Sequence, residues 1–326
     1  MSAGVAVARR RAGVGPGALW VLAAILVPAM AAPWIAPRPP DLQEDVAGAR
    51  DLPPLTRAHA LIGADGRTRI VTGLRRAGTV WEGFRSGAIA RVDEADLASP
   101  PAARIFLLGT DRLGRDVLSR VLFGLRHSAG VAALAVALSL LLALLAGSLA
   151  VFGGTLADAV IMRGIDVLMA VPRLLVYLLC AALLVPSTPL LVGVFAVTTW
   201  TGLARIVRVE LMALRGGGLE AAARAAGARP LRTLFRHLLP AILPALAVAT
   251  ALRFADTILL ESAVAVLGLG APPPAVSLGD IMASGRSAAM DWWLVAVPGA
   301  LLAGLVLALR SAATSLDRLL DPPSIT

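Results

Sequence analysis

The side chains able to do chemistry are few and scattered. His59, His127 and His237 lie far apart and form no H-E-x-x-H or similar ligand spacing. Cys180 is the only cysteine and sits in an apolar run, so neither an intramolecular disulfide nor a cysteine metal site is available. All 30 basic residues are Arg, which removes both the P-loop and the lysine Schiff base. A polytopic membrane enzyme would need a cluster of His and acids on one membrane face, and none is found. What remains is charge inside apolar sequence. Arg253, Asp256 and Glu261 fall in one hydrophobic segment, where ionisable groups are costly and mark pathways, gates or pairs. Arg253 and Asp256, three residues apart, can pair along one helical face. Asp256 and Glu261 are the candidates for a translocation path or gate.

The elements that must position these residues are membrane spans. Of the 326 residues 58% are hydrophobic and 16% charged, too apolar a balance for a dispersed soluble domain. Ser128 to Ala157 runs 30 residues without an ionisable side chain, and about 20 apolar residues cross a bilayer. Six spans are expected, near residues 18–36, 129–152, 165–185, 190–212, 238–260 and 292–308. Gly153-Gly154 and Pro186-Ser187-Thr188-Pro189 supply turns. Arg9, Arg10 and Arg11 anchor the first segment, read as a retained span rather than a cleaved signal. Asp158, Arg163, Asp166 and Arg173 read as snorkelling groups at span ends, and Trp292 and Trp293 as interface anchors. The net charge of +9 then belongs to topology, with no nucleic acid needed. From Arg205 to Arg236, seven Arg face only Glu210 and Glu220, as expected of a short cytoplasmic loop.

The chain therefore divides into a cytoplasmic tail and first span (1–37), an extracytoplasmic loop (38–107) and a core of five spans (108–326). The 38–107 segment is polar and holds Pro39, Pro40, Pro53, Pro54, Pro100 and Pro101; only Arg67–Val71 and Ala88–Val92 alternate well enough for short strands. From Thr110 an amphipathic helix is expected, with Leu113, Val117, Leu118, Val121, Leu122 and Leu125 on one stripe and Thr110 or Asp111 as its cap. In the loop 214–237, Gly216-Gly217-Gly218 breaks the preceding span. Leu219-Glu220-Ala221-Ala222-Ala223-Arg224-Ala225-Ala226-Gly227 then reads as a short helix, with Gly227 in the left-handed position and Pro230 forbidding continuation. Its methyl surface suits close approach by another protein's backbone, and suits equally a connector lying along the membrane.

A resemblance separates those two readings. Glu220 to Gly227, followed by Leu238-Leu239-Pro240, resembles the EAA loop of binding-protein-dependent ABC import permeases. That family's Glu falls at Ala221, whereas the acid here is Glu220, so the carboxylate either meets its partner from a neighbouring helical position or is dispensable to docking. Leu108-Gly109-Thr110-Asp111-Arg112-Leu113-Gly114-Arg115-Asp116-Val117-Leu118-Ser119-Arg120 is similar to the LGTD-x-x-GRD-x-x-SR stretch of the dipeptide, oligopeptide and nickel branch. Leu267-Gly268-Leu269-Gly270 with Ser277-Leu278-Gly279 resembles its FLGLG…SWG segment, Leu278 standing for Trp, and Asp317 to Pro322 resembles its C-terminal LRD-x-LDP. The matches cover about residues 106 to 322 in order.

The resemblance implies an all-α permease of type I ABC importer architecture with six transmembrane helices, the second of two related subunits, forming half of a pathway for peptides or a related solute such as nickel. It implies a coupling helix over Leu219–Gly227 that contacts the ATPase. It further implies partners: a homologous permease, cytoplasmic ABC ATPase subunits that bind ATP and Mg, a solute-binding protein outside, and membrane lipid. No cofactor or metal is expected on this chain, and it would not itself be an enzyme. The expected location is the bacterial inner membrane with both termini cytoplasmic. Residues 38–107 exceed the branch's usual length and either dock a partner or form a linker insertion. The rival from another class is a stand-alone ion- or proton-coupled transporter with Arg253, Asp256 and Glu261 as its relay.

Overall fold

The computed structural model describes residues 17–286 and 291–320, so Arg9–Arg11 and the Asp321-Pro322 close lie outside the described residues. The chain opens with α1 (Gly17–Met30) and one turn, α2 (Ala32–Ile35). Five strands follow: β1 (Thr56–Ile62), β2 (Thr68–Ala77), β3 (Val80–Arg85), β4 (Ala88–Asp93) and β5 (Ala102–Phe106). The remainder is helical, with α3 (Val117–Phe152), α4 (Gly154–Ala170), α5 (Arg173–Leu183), α6 (Thr188–Leu214) and α7 (Gly218–Ala225). After these come α8 (Pro230–Thr233), a π-turn at Leu234–Leu238, α9 (Leu239–Val266), α10 (Leu278–Gly285) and α11 (Trp293–Leu320).

Among the described residues, four stretches are long and apolar enough to cross a membrane: α3, α6, the run Pro230–Val266 and the Trp293–Leu316 part of α11. The α4–α5 pair qualifies as one span bent by 76°, and α1 is a shorter apolar helix. The bend follows from Pro172, which cannot donate to α4 and becomes the N-cap of α5. Leu134, Leu141, Leu145 and Leu149 of α3 are exposed, the apolar outer surface that lipid requires.

The helices meet through small residues. Ser139 of α3 donates to the Ala196 carbonyl of α6 at 2.9 Å, and eight residues further along both helices Gly147 lies against Ala204 and Val207. The two helices therefore run in the same direction, with bare glycine where they approach most closely. Pro28, Pro244 and Pro298 interrupt α1, α9 and α11, whereas α3 has no proline along its 36 residues.

The all-α expectation is corrected by a five-stranded antiparallel sheet in the order β4-β3-β2-β1-β5, built from most of the segment read as a loop. Ala49 and Leu52 cover Ala58, Ala60, Ile70 and Phe106 on one face, while Leu61, Val71 and Val92 pack with Leu97 on the other. Gly66, Gly78 and Gly87 take φ of +73°, +67° and +77° at the three hairpin turns, a region that favours glycine.

Asp45 ties the covering segment to the sheet. Its carboxylate accepts from Arg85 Nε and Nη2 at 3.0 and 2.9 Å, from Ile70 N at 2.8 Å and from Gly48 N at 3.1 Å. Burial opposes the charge, but the Arg85 pair and the two backbone N–H groups outweigh it and hold the carboxyl below its usual range. A lowered folded pKa contributes stability that is present above the unfolded value of about 3.9 and is lost as pH falls through the folded value. Asp45→Asn should weaken the sheet by about 2–3 kcal/mol, since Arg85 loses its charged partner but remains partly hydrated. Amide exchange over residues 56–106 is the measure. Protection relative to the intrinsic rate should fall in the variant at pH 7, and in the wild type on acidification below about pH 4. Unchanged exchange in both would remove Asp45 as the tie.

Candidate functional site

Two constructions occupy opposite ends of the helical bundle. At the sheet end, the residues Leu108 to Arg120 form a joint. Gly109 and Gly114 take φ of +76° and +69°, and a Cβ on Gly109 would lie 2.4 Å from the Leu52 carbonyl. Thr110 exchanges backbone and side-chain bonds with Leu52 at 2.9 and 2.8 Å and donates from its hydroxyl to the Ala49 carbonyl. Asp111 accepts from Leu113 N and Arg115 N at 3.0 and 2.9 Å and pairs with Arg115 Nε at 2.8 Å. Thr110 thus ties the segment that covers the sheet to the stretch leading into α3, and Asp111 braces that stretch from within.

The helix expected from Thr110 begins instead at Val117. Its N-cap is Asp116, which accepts from Ser119 N and Ser119 Oγ at 2.8 and 2.7 Å. The two left-handed glycines stop any earlier helix. Trp293 is also corrected: rather than standing at a membrane interface it is 4% exposed and its indole donates to the Thr110 carbonyl at 3.3 Å, while Trp292 is exposed.

The second motif closes over the joint. Gly268 leaves α9 at φ +81°, and Ser277 and Asp280 form a reciprocal capping box that starts α10. Gly279 presses on the Ser262 carbonyl, where a Cβ would come within 2.3 Å, and Gly124 of α3 on the Ser277 backbone. Leu278, in the place of the branch's Trp, is wholly buried.

Among the span charges, Arg253 pairs with Asp256 at 3.6 Å, as the spacing predicts, and lies against Gly202 of α6. Asp256 also meets Arg310 of α11 at 3.5 Å. Glu261 is fully buried among Ser128, Ser262 and Ser277. Five residues place Asp256 and Glu261 about 140° apart around α9, so they do not share a face. Asp158 and Asp166, read as snorkelling groups, are held by Arg208 and Arg205 of α6.

At the other end stands α7. It begins after Gly217 in extended backbone and ends in a left-handed Gly227 at φ +76°. Ala228 N reaches the Ala223 carbonyl at 3.0 Å and Gly227 N the Arg224 carbonyl at 2.9 Å, the paired bonds of a Schellman stop. Glu220 and Ala223 are buried, and Glu220 accepts from Gly216 N at 2.6 Å. The acid that stands one position early in the motif is therefore spent on closing its own loop. Leu219, Ala221, Ala222, Ala225 and Ala226 are exposed, with Arg224, Arg229 and Arg232 around them. Gly227→Val should cost on the order of 1–2 kcal/mol in the stop. Faster amide exchange over Ala223–Ala228 is the expected sign, and wild-type protection would contradict the assignment.

Residues 129–322 match the model of the family described as binding-protein-dependent transport system inner membrane component. The chain belongs to that family. The di/tripeptide transport system permease protein DppC of Pseudomonas aeruginosa is 37% identical over 67% of this chain and 72% of its own length. An inward-facing structure of the MetNI methionine ABC transporter matches with a TM-score of 0.53, covering 63% of this chain and 98% of that one. At 18% identity that likeness concerns the fold alone. This inner-membrane component is thus a permease of an ABC importer, with α7 and the two joint motifs inside or beside its family module.

Proposed function

We propose that this permease is one of two related subunits in an ATP-driven importer of di- and oligopeptides or a related small solute, and that α7 is its contact with the ATPase. The observation that carries this is α7 itself. A helix fixed from behind by Glu220 and Ala223, stopped sharply at Gly227 and bare of anything larger than methyl over Ala221, Ala222, Ala225 and Ala226 can seat in a cleft and transmit a push. Separate subunits then bind ATP and Mg, and a solute-binding protein delivers cargo at the sheet end. In this reading α1, α3, α4–α5, α6, α9 and α11 alternate between the two ends, so both termini share the cytoplasmic side with α7. The excess of Arg between 205 and 236 agrees with that side. The name of the Pseudomonas relative supports peptides as cargo.

The test is purification of the tagged chain from its native membrane in mild detergent, followed by mass spectrometry and an ATPase assay. A nucleotide-binding subunit and a second permease should accompany it. A chain that purifies alone and moves solute in liposomes without ATP would overturn the reading in favour of ion coupling.

A further inference from the structure

A cavity of about 510 Å³ opens at the sheet end between the start of α3 and the Pro272–Val276 loop, within the range of small-ligand sites. Arg115, Arg120, Asp41 and Asp280 are its charged lining. Arg120 is 4% exposed, and among the described residues its Nε and Nη1 have no hydrogen-bond acceptor. Its nearest carboxylate, Asp111, stands 3.5 Å away and already accepts from Leu113 N, Arg115 N and Arg115 Nε. Asp280 is within electrostatic reach, but its carboxylate is engaged by the backbone of Ser277 in the α10 cap. A buried guanidinium with idle N–H groups is costly to keep, and its planar fork matches a carboxylate.

A second cavity of about 400 Å³ shares Pro274, Ala275 and Val276 with the first and adds Arg126 and His127. The two cavities flank the same Pro274–Val276 wall, and their combined lining sets three Arg against two acids.

We propose that Arg120, assisted by Arg115, holds the terminal carboxylate of a transported peptide in the larger cavity as it enters the spans. The proposal rests on the reading of the protein as a peptide permease and adds which end of the peptide this chain recognises and with which side chain. The proline wall explains the shape: a rigid loop fixes the cavity's width, so that selection falls on charge rather than on side-chain size. Arg120 also belongs to the joint that links sheet and spans, which would let an occupied cavity stiffen the contact between them.

The experiment measures KM and Vmax for uptake of labelled trialanine and trialanine amide by membrane vesicles carrying the complete importer. The wild type should favour the free acid at least tenfold, about 1.4 kcal/mol, in Vmax/KM. Arg120→Gln should lower trialanine uptake to the level of the amide while leaving the amide within twofold, and Arg120→Lys should restore part of the preference. An acid preference that survives Arg120→Gln, or is absent from the wild type, overturns the proposal. Transport of neither peptide by the wild type sinks the peptide reading itself. Should Arg120→Gln fail to assemble, the wild type is photolabelled with Ala-Ala-benzoylphenylalanine. Label on residues 115–120 or 270–276 supports the assignment, and label confined to other segments refutes it.

Discussion

Ala222→Glu is expected to strip the ATPase subunit from the permease while leaving the chain itself folded. Ala222 is exposed on α7, and glutamate is nearly as good a helix former as alanine, so the free permease has no reason to unfold. Under the proposed contact the same position enters an apolar cleft, where a carboxylate would be dehydrated without a partner. Such a burial costs several kcal/mol, and a loss of about 3 kcal/mol corresponds to more than a hundredfold in affinity. The measurement is the ratio of ATPase subunit to permease recovered in mild detergent, with the melting temperature of the permease as control. Recovery at the wild-type ratio would show that the exposed methyl face of α7 is not the docking surface.

Gly147→Val should damage the bundle more than the same change at either other glycine of α3, Gly124 or Gly130. A Cβ there would lie 2.6 Å from Val207 Cγ1, 2.7 Å from Val207 Cβ and 3.0 Å from the Ala204 carbonyl. A side-chain tip can rotate away, but a β-branch and a backbone oxygen cannot, so α3 and α6 must separate. Overpacking of this kind costs about 1–3 kcal/mol, and the upper end applies because the obstruction is rigid. The contrast is Gly164 of α4, where among the described residues nothing lies within 4 Å of the position a Cβ would take. Gly164→Ala should be neutral or stabilise by about 0.5–1 kcal/mol through helix propensity alone. Thermal melting of the detergent-solubilised chain reads both. Equal effects at the two positions would mean that the α3–α6 seam is looser than described.

The long apolar helices were legible because lipid imposes one simple demand, unbroken hydrophobic length, and Ser128 to Ala157 meets it without a single charge. The stop at Gly227 was legible for a comparable reason: glycine after an alanine-rich turn has one strong local use. The sheet was not. Its core is lined by Ala58 and Ala60, small residues that favour helix, and Arg occurs on several strands, so period-two contrast is faint. A signal did exist in Asp65-Gly66, Gly78 and Ser86-Gly87, about ten residues apart, the spacing of successive hairpins. Thr110 to Asp116 misled in the opposite direction. The apolar stripe it leads into is genuine, but the backbone at Thr110 is fixed by side-chain bonds to Ala49 and Leu52, some sixty residues earlier, and no local pattern encodes such a contact. The two tryptophans show the same limit. Trp292 and Trp293 are adjacent and chemically identical, yet among the described residues only the second finds a carbonyl to donate to.

The absence of proline from α3 bears on how the molecule can move. At 1.5 Å per residue its 36 residues make an uninterrupted strut of about 54 Å, capped at one end by Asp116 just after Thr110, which bonds to Ala49 and Leu52 of the segment covering the sheet. At the other end Arg215, just before α7, donates to the Val151 carbonyl. The neighbours α1, α9 and α11 each carry a proline at which bending can be absorbed. Stiffness is therefore concentrated in α3 and the parallel α6, whose only proline stands in its first turn. A tilt of about 5° at one end of such a rod would displace the other by about 5 Å, so a small push beside α7 would reach the sheet as a sweep of a whole side chain's length, with little lost to flexing on the way.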